Sequence, residues 1–106
     1  MTRTWLVECY GPGIAEASVA AASDRARAAV EVERAAGAEI EYLGALVMPT
    51  DEAVFHAFAS DEAERVAETS ARAGLRYERI VESVAVGAPT LVDALTRLLD
   101  RGGPNR

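Results

Sequence analysis

An α+β domain with the element order β-α-β-β-α-β is predicted for these 106 residues by three observations. Runs of apolar residues at 4–10, 39–48, 53–59 and 77–86 have the length and composition of strands. Two segments rich in Ala, Arg and Glu lie between them, with apolar residues at helical spacing. Each of these segments closes on the same signal before the next strand, Arg34-Ala35-Ala36-Gly37 and Arg72-Ala73-Gly74.

Thr4 to Tyr10 alternates, with Trp5, Val7 and Cys9 on one face and Leu6, Glu8 and Tyr10 on the other. Gly11-Pro12-Gly13 breaks the strand. It lacks the spacing and the lysine of a phosphate loop, so a tight turn is expected. Ile14 to Ala36 forms the first helix, its stripe made by Ala15, Val19, Ala22, Ala26, Ala29 and Val30, and Gly37 stops it. Glu39 to Met48 and Ala53 to Ala59 form a hairpin through Pro49-Thr50-Asp51. Asp61 with Glu64 is a capping-box variant opening a second helix, whose inner face is Ala63, Val66, Ala67 and Ser70. Gly74 ends that helix, and Tyr77 to Val86 is the fourth strand. This is the split βαβ, ferredoxin-like pattern. Right-handed crossovers give an antiparallel sheet of order 4-1-3-2 with both helices on one face. Residues 1–87 make this domain. Residues 88–101 add a C-terminal helix, with Thr90 as cap and Leu91, Leu95, Leu98 and Leu99 as its apolar stripe. Residues 102–106 are a tail.

Composition narrows the function classes. Half of the residues are apolar and 26% are charged, as in folded globular domains. No apolar run reaches the roughly 20 residues of a membrane span, and the N-terminus shows no signal-peptide pattern. A net charge of −6 argues against nucleic acid and anionic membranes. All 11 basic residues are arginine, which excludes lysine Schiff bases and lysine general bases. The single cysteine, Cys9, excludes an internal disulfide and fits a cytoplasmic protein. It reads as an inert core thiol.

The strands 43–48 and 54–59 are apolar almost throughout, so both sheet faces are expected to be covered. The face away from the helices is expected to be covered by a second subunit, in a homodimer resembling a dimeric α+β barrel, or by the third helix. Parity assigns Phe55, Ala57 and Ala59 to the helix side, and Val54, His56 and Phe58 to the open face. A ligand pocket is then expected on the open face around Glu8, Tyr10, His56 and Phe58. A single bulge in either strand would reverse its faces.

Trp5-Leu6-Val7-Glu8-Cys9-Tyr10-Gly11-Pro12-Gly13, Met48-Pro49-Thr50-Asp51-Glu52, Val54-Phe55-His56-Ala57-Phe58 and Arg79-Ile80-Val81-Glu82-Ser83-Val84 resemble a small bacterial family of unknown function. The resemblance covers roughly residues 4–87. One characterised relative in that family is a dimeric nickel-binding protein of ferredoxin-like fold, so the resemblance implies fold and dimer. It transfers no ligands, because that relative is rich in histidine and this chain has only His56.

Chemistry supplies the remaining alternatives. His56 doubled across a two-fold axis, with Glu8 or Glu41 adding oxygens, could hold nickel or another divalent metal. The other reading of His56 is a core or pocket histidine bonded to Tyr10 or a carboxylate. Glu8 is either a polar anchor or base in a pocket, or the partner of a strand arginine such as Arg79. The expected function is non-catalytic binding of a metal ion or small molecule by a homodimer. The alternative is a small enzyme of cyclase, isomerase or monooxygenase type using the same pocket.

Overall fold

The computed structural model describes residues 2–12 and 14–84. Gly13, the expected helix at 88–101 and the tail at 102–106 lie outside the described residues. The elements are β1 (Arg3–Tyr10), α1 (Glu16–Ala35), β2 (Ile40–Met48), a 3-10 turn (Pro49–Asp51), β3 (Ala53–Ser60), α2 (Ala63–Arg72) and β4 (Arg79–Ser83). The fold is α+β: a four-stranded, open, antiparallel sheet with two helices. The sheet order is β2-β3-β1-β4, which from the β4 edge reads 4-1-3-2.

Both helices end where glycine takes the left-handed conformation, Gly37 at φ 97° and Gly74 at φ 72°. The start of α2 departs from expectation. Glu62 is its extended cap residue and no side chain caps it, so the Asp61/Glu64 capping box does not form. At the start of α1, Ser18 Oγ accepts from the Ala15 N–H at 3.2 Å and donates to the Ala15 carbonyl at 2.8 Å.

One core lies between the helices and the sheet. It joins Trp5, Val7 and Cys9 of β1 to Val54 and Phe58 of β3, Ile40 of β2, Val19, Ala26, Ala29 and Val30 of α1, and Val66 of α2. Glu33 of α1 accepts from Arg72 Nε of α2 at 2.8 Å, tying the helices together. Among the described residues no element covers the opposite face. No helix among them is long and apolar enough to cross a membrane.

The register decides which residues share a face, because directly opposite residues in an antiparallel pair point the same way. Trp5 faces Phe58, Val7 faces His56 and Cys9 faces Val54. The β1 faces are therefore as expected, whereas those of β3 are reversed. His56 and Phe58 lie on the helix side, and Phe55, Ala57 and Ala59 on the open side. Before its terminal Ser60 the β3 sequence is apolar on both faces except at His56, whose polarity mimics a solvent marker. In β2 the register slips between Tyr42 and Gly44, a bulge at Leu43, with Gly44 at φ 132°. The bulge puts both Tyr42 and Ala45 on the helix side, opposite Phe58 and His56.

Candidate functional site

His56 is 1% exposed. A buried imidazole needs a polar partner, and β2 supplies it, braced in turn by α1. The Tyr42 hydroxyl lies 2.8 Å from His56 Nδ1, and Ser23 Oγ of α1 lies 2.8 Å from that same hydroxyl. Tyr42 also packs edge-on against Phe58, with ring centroids 5.1 Å apart, while the Arg27 guanidinium sits 5.5 Å from its ring centre. Burial, and then the charge of Arg25, lower the His56 pKa to about 4. The ring is neutral at pH 7, and its second nitrogen, Nε2, is the polar atom left for other work.

His56 also lines a cleft of about 340 Å³. Cys9, Tyr10, Val54 and His56 contribute from the sheet, and Ile14 from the turn before α1. Ser18, Val19, Ala22 and Arg25 contribute from the first half of α1. Gly74, Leu75 and Arg76, after α2, complete it. Small side chains on α1 leave this space between helix and sheet. The volume is at the small end of the roughly 300–1,000 Å³ of ligand pockets, and the mix of apolar walls with a few polar groups is theirs as well. Burial, helped by the charge of Glu78, pushes the Cys9 thiol up, so it stays protonated at neutral pH and is no nucleophile.

The expected site is split between the two faces. Glu8 and Tyr10 remain on the open face, while His56 and Phe58 are on the other; Tyr10, at the end of its strand, also lines the cleft that His56 lines. Glu8 is 4% exposed, and its Oε1 accepts from Arg79 Nε at 2.9 Å and from the Tyr10 hydroxyl at 2.8 Å. Arg79 lies directly across from Glu8 on β4. Its hydrogen bond holds the Glu8 pKa below the ordinary value against the opposing effect of burial, with Tyr10 assisting. The Tyr10 pKa is raised, first through its bond to Glu8. The strand-arginine reading of Glu8 is thus the geometry found. Tyr10, 49% exposed, meets Phe55 edge-on.

A nickel site does not fit these residues. His56 faces the helices, whereas Glu8 and Glu41 lie on the other face of the sheet, Glu41 opposite Ala59. Glu8 is already engaged by Arg79, and His56 Nδ1 by Tyr42. Among the described residues no three His, Cys, Asp or Glu side chains are grouped to hold an ion.

Sequence reasoning missed Tyr42, Ser23, Arg25 and Arg76. Ser23 carried a signal: it lies between Val19 and Ala26 on the apolar stripe of α1, where a hydroxyl calls for a partner in the core. No family model, curated protein or solved structure matches the chain.

Proposed function

We propose that this chain is a non-catalytic binding domain for a small molecule, held in the cleft between α1, the sheet and the segment after α2. The observation carrying this reading is His56, a buried, neutral imidazole on the wall of a 340 Å³ cleft lined largely by apolar side chains. Binding is favoured over catalysis because the thiol is held protonated and, among the described residues, no cleft nucleophile is hydrogen-bonded to His56, whose Nδ1 is taken by Tyr42. A small molecule is favoured over a metal because the expected ligands point to opposite faces.

We read the domain as ferredoxin-like on its element and strand order. We read the functional unit as a homodimer closing its open sheet faces together, in the manner of a dimeric α+β barrel. Leu46, 40% exposed, and the half-buried Leu6, Phe55 and Val81 support this second reading. A cytoplasmic setting fits the free thiol of Cys9.

Native mass spectrometry with elemental analysis, on protein purified without an affinity tag, tests the proposal. The expected result is a dimer releasing a small organic molecule on denaturation, without stoichiometric metal. One nickel or zinc per chain and no organic ligand would contradict it.

A further inference from the structure

We propose that the cleft takes a small organic anion, a carboxylate on a compact apolar body, with Arg25 and Arg76 gripping the carboxylate. This rests on the reading of the cleft as a ligand site and adds the charge and class of the ligand. The chain as a whole carries a net charge of −6, yet the described residues lining this cleft include two arginines and no carboxylate. Elsewhere, Arg3, Arg27, Arg72 and Arg79 each meet a carboxylate within 3.5 Å. Arg25 and Arg76, like Arg34 and Arg65 away from the cleft, form no such pair among the described residues.

Arg25 is also held in place. Its Nε donates to the Ala73 carbonyl at 2.9 Å, at the end of α2. That leaves the two terminal amino groups, a planar fork suited to both oxygens of one carboxylate. Arg25 is near enough to His56 for its charge to suppress imidazolium formation. An anion bound at Arg25 would offset that charge, and His56 would report its arrival. Val19, Val54 and Leu75 give the rest of the cleft an apolar lining. Such a lining suits a hydrocarbon body better than a hydrated inorganic ion.

His56 is the only histidine, so its ring signals are a single probe inside the cleft. The experiment titrates the intact protein at pH 7 with benzoate, phenylacetate and the neutral benzamide, following the His56 ring by NMR. The carboxylates should shift the ring signals saturably, and benzamide should bind at least about tenfold more weakly. Arg25→Gln and Arg76→Gln should each weaken carboxylate binding by about tenfold or more and leave benzamide unchanged. Arg76 is exposed, so its variant keeps the test valid should Arg25→Gln fail to fold. Equal binding of benzoate and benzamide would overturn the anion assignment while leaving the cleft as a ligand site. Carboxylate binding that survives both substitutions would overturn the role of the arginines. Ring signals unmoved by all three compounds would overturn the anion assignment and the cleft reading together.

Discussion

On the helix face of the sheet, His56 is buried among apolar side chains and loses its charge. On the open face, Glu8 is nearly as buried but keeps its charge, because Arg79 reaches across from the edge strand. Both pKa values fall, with opposite consequences. For the base, a lower value means a neutral ring; for the acid, it means a persistent carboxylate. The difference lies in the partners. His56 has a tyrosine hydroxyl, itself bonded to Ser23, which satisfies a neutral ring without stabilising a cation. Glu8 has a guanidinium whose side chain is 68% exposed, so the cation stays hydrated while it neutralises the buried anion. One face is built to hold a neutral polar group beside a cavity, the other to hold an ion pair between strands.

Phenylalanine truncation on each face gives the largest expected effect. Phe58 is fully buried under the helices, and Phe58→Ala should cost about 3–5 kcal/mol in denaturant unfolding. Phe55 on the open face is half-buried, and Phe55→Ala should cost clearly less, about 1–2 kcal/mol. Equal losses would mean that the two faces are equally packed.

The pH dependence of stability sharpens the same contrast. With its pKa lowered from 6.5 to about 4, native His56 binds fewer protons than the unfolded chain in that window. Its contribution is intact above about pH 6.5 and shrinks as pH falls toward 4, by about 3 kcal/mol at most. Glu8, also lowered, contributes above its unfolded value near 4.5 and loses that contribution as pH falls through its native value. Unfolding curves between pH 8 and 4 should therefore show a loss that begins near 6.5 and disappears in His56→Gln. A parent flat across that interval would show that His56 is not desolvated.

Part of this division is legible in the amino-acid sequence. Glu8 interrupts a clean alternation in β1, so its face and its need for a cation could be read, and Arg79 was within reach. The glycine stops at 37 and 74 follow from the left-handed backbone that ends a helix. The faces of β3 were not legible. A polar residue in a strand marks the solvent side only when no partner awaits it in the core, and the partner of His56 comes from β2, itself held by Ser23 of α1. Tyr42 reaches it across a bulge at Leu43 that alternation does not reveal. The cleft is assembled from four separated segments, so no local pattern announces it.

Substituting Arg79 probes the open face alone. Arg79→Ala removes the main cause of the lowered Glu8 pKa, so the Glu8 carboxyl signal in carbon NMR should titrate at higher pH, while His56 is unchanged. Leu46→Asp should have the smallest effect on the fold, within about 0.5 kcal/mol for an exposed position of the monomer. Sedimentation should nevertheless show the dimer dissociating. A parent that sediments as a monomer at micromolar concentration would remove the dimer.

The most direct measurement is the titration of the His56 ring, followed by two-dimensional nitrogen–proton NMR from pH 8 to pH 3.5. A histidine enclosed on the helix side, bonded to Tyr42 and beside Arg25, should remain neutral through pH 5 and titrate at about 4. A midpoint near the ordinary 6.5, or one raised above it by a nearby carboxylate, would place the ring in water or beside Glu8 and contradict the helix-side site.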